Sequence, residues 1–215
     1  MNMNIIRRPF RYVNYNAVFW LIGINVLIFA ATYLSGREIQ SFLITRLSMI
    51  PAIVIHYGWV WTFVTYMFMH GGFQHILFNM LGLFIFGIHV ERQMGSKEFL
   101  LYYFVTGTMA GIFSFIMYYF TGNLIVALMG ASGALYAVQL AYAVLFPNSV
   151  IYIWGILPLR APVMVLGFTV LSLFFIISGR GGNVAHLTHL AGFGFGWLYF
   201  AVRFGVSPWR RLTGR

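Results

Sequence analysis

Apolar residues in this chain do not alternate with polar ones; they run. Six runs stand out, near residues 17–35, 72–90, 98–120, 130–146, 161–178 and 185–204, each close to the roughly 20 residues that carry a helix across about 30 Å of hydrocarbon. The pattern predicts an all-α, polytopic membrane protein with six transmembrane helices. The first run is longer than the apolar core of a cleavable signal peptide and no small-x-small site follows it, so it is read as a retained helix. A further apolar stretch, 49–69, is long enough to span, but it contains Pro51, His56 and Gly58 beside Tyr57, Trp59, Trp61 and Tyr66. Aromatic rings collect where bilayer meets water, so the stretch is expected to be a partly embedded interfacial loop between helices 1 and 2.

Composition sharpens this. Of 215 residues, 61% are apolar and only 7% charged, whereas a soluble domain carries about a quarter charged residues. The net charge of +10 does not point to nucleic acid, because the basic residues sit between apolar runs instead of clustering on one solvated face. Membrane topology explains them better, since cytoplasmic loops are rich in Lys and Arg. With six spans, one side holds Arg7, Arg8, Arg11, Arg92, Lys97, Arg160, Arg203, Arg210, Arg211 and Arg215, and the other only Arg37, Arg46 and Arg180. Ten against three places both termini in the cytoplasm of a bacterial-type plasma membrane; a seven-span arrangement gives nine against four. The expected organisation is a cytoplasmic tail over 1–16, one transmembrane domain over 17–204 and a second cytoplasmic tail over 205–215.

The residues that are missing narrow the chemistry. The acids are Glu38, Glu91 and Glu98, with no Asp and no Cys anywhere. Aspartate dyads, a Ser-His-Asp triad, thiol nucleophiles and disulfides are excluded, and with almost no charge inside the spans a carboxylate relay for ion-coupled transport is hard to build.

A polar side chain inside a bilayer is costly and marks function by default. Those present are His70, His75, Asn79 and His89 around the second span, Ser132 at the start of the fourth, and His186 and His189 at the start of the sixth. His75, Asn79, Ser132 and His189 all enter from the same side, so three helices deliver a hydroxyl, two imidazoles and an amide to one depth. Gly130 and Gly133 strip side chains from around Ser132, and the unpaired amides at a helix start suit a forming oxyanion. Gly192 and Gly196 share the face of His189 and permit a close helix approach, which would bring a serine within reach of the imidazole as general base. Tyr136, one turn beyond Ser132, could stack on that ring or simply pack. His75 and Asn79, spaced i and i+4, point the same way and form either a donor pair for an oxyanion or an interhelical clamp. His70 and His186 are read as mouth residues satisfied by water, and His56 and His89 carry no assignment.

The runs His70-Gly71-Gly72-Phe73-Gln74-His75-Ile76-Leu77-Phe78-Asn79, Gly130-Ala131-Ser132-Gly133-Ala134-Leu135-Tyr136-Ala137 and Ala185-His186-Leu187-Thr188-His189-Leu190-Ala191-Gly192 resemble the rhomboid intramembrane serine proteases. The likeness extends from about Tyr57 to Phe204. It implies a six-helix bundle with Ser132 as nucleophile, His189 as base and acid, and His75, Asn79 and the Ser132 amide as oxyanion donors. It also implies cleavage of transmembrane protein substrates within the lipid bilayer, on the extracytoplasmic side, without metal or cofactor. Glu91 and Gly95-Ser96 look like the family's turn after the second helix. Where the family usually has Trp-Arg in the first loop, this chain has Trp61-Thr62, which bears on how that loop is anchored.

Three rivals remain: a catalytically silent relative that binds transmembrane helices, a haem protein with imidazole ligands, and a zinc site built from His75, His186 and His189. A polar cavity open to the outer face is expected, gated by the fifth span and the loop containing Gly179, Arg180, Gly181 and Gly182.

Overall fold

The computed structural model describes residues 7, 10–153, 155–178 and 183–213. Helix α1 (Ala17–Leu34) is followed by α2 (Arg37–Leu47), two short helices, α3 (Pro51–Tyr57) and α4 (Thr62–Thr65), and a 3-10 turn at Tyr66–Phe68. A long helix, Phe73–Met94, comes next. It is regular in α5 (Phe73–Gly82), widens to a π turn at Leu83–Gly87 and ends as α6 (Ile88–Met94). Then follow α7 (Ser96–Phe120), α8 (Ser132–Leu145), strands β1 (Val150–Ile153) and β2 (Leu157–Arg160), α9 (Ala161–Ser178), α10 (Asn183–Tyr199) with a π turn at Phe200–Phe204, and α11 (Pro208–Thr213).

Among the described residues, four helices are long and apolar enough to cross a membrane: Ala17–Leu34, Phe73–Met94, Ser96–Phe120 and Ala161–Ser178. The chain is an integral membrane protein. Helix α8 is shorter, 14 residues, or about 21 Å at 1.5 Å per residue. Its length need not match the bilayer, because Gly133 to Ala141, with the exception of Tyr136, are all buried: α8 is wrapped in protein, not lipid. The outer helices show the reverse. Leu166, Val170, Phe174 and Ile177 of α9 are all exposed, as a lipid-facing surface requires.

Small residues set the closeness of the inner helices, since without a hydrophobic drive between helices in lipid, packing of small side chains carries association. A Cβ on Gly133 would lie 3.0 Å from Ala110 of α7, and one on Gly196 would lie 3.2 Å from Ala137 of α8 and 2.5 Å from the Tyr102 hydroxyl. Tyr102 donates to the Ala137 carbonyl at 2.6 Å, Tyr66 to the Gly107 carbonyl at 2.7 Å, and Ser114 bonds Thr188 at 2.6 Å. These bonds tie α7 to α8, the first loop and α10.

Two of the three acids are structural. The Glu91 carboxylate accepts from the Ala17 amide at 2.6 Å and the Val18 amide at 2.9 Å, and from the Ser96 hydroxyl. It thus caps α1 from a distant helix end, satisfying donors that Asn16 leaves without a side-chain partner. Gly95, at φ +84, makes the turn beside it, where a Cβ would lie 3.3 Å from the Val13 carbonyl. Replacing Glu91 with Ala strands two buried amides, so Glu91→Ala is expected to cost about 1–3 kcal/mol per stranded group, read as a lower midpoint of unfolding in detergent. The buried Glu98 carboxylate pairs with Arg203 at 2.8 Å and accepts from Tyr199 at 2.5 Å.

Several expectations need correction. The chain is not wholly helical: β1 and β2 form an antiparallel hairpin with Val150 opposite Arg160, where β-branched residues follow Pro147 and Asn148. Helix α2 (Arg37–Leu47) lies between the first apolar run and the 49–69 stretch, a segment for which no element is expected. Within the segment 205–215, Pro208–Thr213 form α11, with Pro208 buried, which leaves the expected tail assignment untouched. In the first loop, Arg46 of α2 stands over the Trp59 ring at 4.4 Å, Trp61 Nε1 donates to the Arg46 carbonyl at 3.0 Å, and Thr62 donates to the Trp59 carbonyl at 2.6 Å. An arginine from another helix therefore sits on the aromatic cluster, although position 62 is not basic. Arg46→Ala is expected to lower the unfolding midpoint by an amount equivalent to about 0.5–1 kcal/mol, and Arg46→Lys by less.

Candidate active site

Ser132 is the first residue of α8, and what precedes it decides where its hydroxyl points. Gly130 adopts φ +119, a conformation open to glycine. A Cβ at Gly130 would lie 2.6 Å from His75 Nε2 and 3.7 Å from the Ser132 hydroxyl. The missing side chain is therefore what lets the His75 ring approach Ser132.

The Ser132 hydroxyl is 3.0 Å from His189 Nε2. Gly192 makes that distance possible: a Cβ there would collide with the Gly133 carbonyl oxygen and sit 3.3 Å from Tyr136 Cβ, so α10 lies against α8 one turn beyond His189. The Tyr136 ring is parallel to the imidazole, centroids 4.2 Å apart and planes 13° apart. Phe168 and Phe193 pack on the other sides of Tyr136 at 5.9 and 4.9 Å. His189 Nδ1 is buried with no hydrogen-bond partner, so the ring is oriented by stacking, not by an acid.

His75 and Asn79 face the same space. The Gly71 amide approaches His75 Nδ1 at 3.4 Å, which leaves Nε2 as the proton-bearing nitrogen directed toward Gly130. One N–H of the Asn79 amide donates to the His75 carbonyl at 2.8 Å, and its carbonyl oxygen is buried without a partner. The second amide N–H remains for another acceptor.

His70 is not a water-satisfied mouth residue. It is 2% exposed, neither ring nitrogen has a hydrogen-bond partner, and its ring meets His75 edge-on at 5.0 Å. Burial pulls it down to about 4 from its ordinary 6.5. A folded-state value below the unfolded one makes the neutral ring's contribution complete above about pH 6.5 and lost as the pH falls toward 4. The stability gap between the wild type and His70→Gln is expected to shrink over that window in thermal unfolding; a constant gap would contradict it. His186 stacks on Phe175 at 4.9 Å, and His89 Nδ1 bonds the Ile85 carbonyl at 2.9 Å. Among the described residues no group of three His or Glu is placed to hold a metal.

Ser132, His189, His75, Asn79 and Tyr136 line one cavity of about 670 Å³ between the Phe73–Met94 helix, α8, α9 and β1. Its walls are mainly Phe78, Leu81, Ile85, Phe86, Leu135, Met164 and Phe168, so it is more apolar than expected, because its sides are built from the apolar residues of three helices, Phe73–Met94, α8 and α9. Residues 179–182, expected to form part of a gate, lie outside the described residues. The cavity also includes Gln74 and Gln139, which sequence reading passed over. Gln139 follows Ser132 by seven residues and Tyr136 by three, a spacing on one helical face that would have marked it.

Residues 57–206 match the family model described as Rhomboid domain, which covers more than half of the chain. The chain belongs to the rhomboid family. It is similar to YdcA of Bacillus subtilis (strain 168), 34% identical over 134 residues, with 61% of this chain and 63% of that protein covered. It is also similar to Rhomboid-like protein 16, chloroplastic, of Arabidopsis thaliana, 28% identical over 214 residues, covering 91% of this chain and 62% of the relative. Rhomboid protease GlpG of Haemophilus influenzae is 32% identical over 118 residues, covering 55% and 56%. The chain thus covers about three-fifths of the length of these curated relatives.

Proposed function

We propose that this chain is an intramembrane serine endopeptidase that hydrolyses a peptide bond in or near the transmembrane segment of membrane-protein substrates. The observation that carries the reading is the 3.0 Å contact between the Ser132 hydroxyl and His189 Nε2 at the wall of a cavity set among membrane-crossing helices; membership of a family with named proteases supports it.

In this reading His189 Nε2 takes the Ser132 proton as the hydroxyl oxygen attacks the scissile carbonyl, then returns a proton to the leaving amine. Water, activated by the same imidazole, hydrolyses the acyl-enzyme. His75 Nε2, the free N–H of Asn79 and the Ser132 amide supply donors to the oxyanion, each worth a few kcal/mol when preorganised. Tyr136 holds the imidazole plane, while Gly130, Gly133 and Gly192 give the closeness that the pair needs.

The domain runs over 17–204 with six spans, α8 and α10 serving as the inner pair, and the first loop is partly embedded. Both tails, 1–16 and 205–215, face the cytoplasm and the site faces the opposite side, as the distribution of basic residues indicates. Purified protein in liposomes should cleave a reporter transmembrane protein, and Ser132→Ala should not; strong chelators should leave the rate unchanged. Cleavage that survives in Ser132→Ala would overturn the proposal.

A further inference from the structure

Gln139 is a polar residue of the cavity wall, seven residues beyond Ser132 on α8. It is 7% exposed, and its side-chain carbonyl oxygen is buried without a hydrogen-bond partner. The same cavity is walled by Ile85, Phe86, Leu135, Ile151, Met164 and Phe168. An unsatisfied amide in such surroundings costs more than a leucine would. No bond within α8 relieves it, although Asn25, Thr32, Thr106 and Ser114 elsewhere in the fold each donate to the carbonyl four residues earlier. The amide is thus left available on the face of α8 that carries Ser132 and Tyr136.

We infer that Gln139 is a specificity-determining residue, recognising an uncharged polar side chain, such as Asn, Gln, Ser or Thr, in the transmembrane segment of the substrate. The inference rests on the proposed protease reading and deepens it. Gln139 lies seven residues beyond Ser132, about 10 Å along the helix. A substrate segment running from Ser132 toward the C-terminal end of α8 covers that distance in about seven residues if helical, or about three if extended at roughly 3.3 Å per residue. The polar partner therefore falls between the third and seventh residue from the scissile bond on that side. An amide both donates and accepts, which fits an uncharged partner with a donor for the orphaned oxygen; an ionised one would have to shed its hydration in an apolar cleft.

The test uses the full chain in phosphatidylcholine and phosphatidylglycerol liposomes. The probes are fluorescent transmembrane reporters with a polyleucine segment, in which one Asn replaces Leu at each position from the third to the seventh. Binding is measured by energy transfer to Ser132→Ala protein, and cleavage to the wild type. An Asn at one position, or two adjacent ones, is expected to improve binding and kcat/KM by about three- to tenfold, the range of interhelical polar contacts in bilayers. Gln139→Leu and Gln139→Met, two variants of similar volume, should abolish the preference. Equal binding of all reporters, or a preference that persists in both variants, would overturn the inference. A binding preference that depends on Gln139 without any cleavage would sustain it while overturning the protease reading.

Discussion

Ser132→Ala and His189→Ala are each expected to lower cleavage of a transmembrane reporter by roughly 10⁴-fold or more, and the double variant to lose no more than the worse single one. The reason is geometric: at 3.0 Å the two side chains act as one unit. Without the imidazole the hydroxyl has no proton acceptor, and without the hydroxyl the imidazole has nothing to activate. Groups that act together are strongly non-additive in mutant kinetics. Single-turnover rates in liposomes for the three variants would check this, and additive losses would show that the contact is structural. Tyr136 offers a graded comparison. Tyr136→Phe keeps the parallel ring 4.2 Å from the imidazole and should lose little, whereas Tyr136→Ala frees a ring whose Nδ1 nothing else holds.

Gly192→Val should be nearly as damaging, for a different reason. A Cβ at that position has no space, because the Gly133 carbonyl oxygen occupies it and Tyr136 Cβ is 3.3 Å away. To admit valine, α10 must move off α8, and the hydroxyl and imidazole separate with it. A displacement of about 1 Å can cost 10²-fold in rate, and overpacking costs typically 1–3 kcal/mol or more in stability. The expected result is activity reduced at least a hundredfold together with a lower unfolding midpoint. Gly194→Ala, on the same helix with open space around it, should do neither. Full activity in Gly192→Val would mean that the tight α8–α10 contact is not what aligns the pair.

The sequence made the long helices legible because uninterrupted apolar runs have one economical fold in lipid. The run read at 161–178 coincides with α9, and that at 17–35 differs from α1 by one residue. Helix α8 is shorter than its run because it is enclosed by protein, and enclosure is a property of neighbours, not of local composition. The hairpin and α2 were invisible to a search for spans: α2 averages close to neutral in hydrophobicity and buries none of its residues. Within the site, the residue types and spacings that placed Ser132, His189, His75 and Asn79 at one depth are local enough to read. That water does not satisfy His70 is set by how closely its surroundings pack around it, whereas the Asn79 bond to the His75 carbonyl four residues earlier is local. Gln139 was legible too, since its spacing puts it on the helical face of Ser132 and Tyr136; only the apolar walls that share its cavity are a matter of packing.

Activation of Ser132 as a nucleophile by His189 can be read without any substrate, by labelling the purified, detergent-solubilised protein with a fluorophosphonate. The wild type is expected to be labelled, and both Ser132→Ala and His189→Ala to take no label. A well-folded wild type that takes no label, and fails to cleave a transmembrane reporter in liposomes, would contradict that activation and leave a rhomboid-family protein that holds transmembrane helices without cutting them.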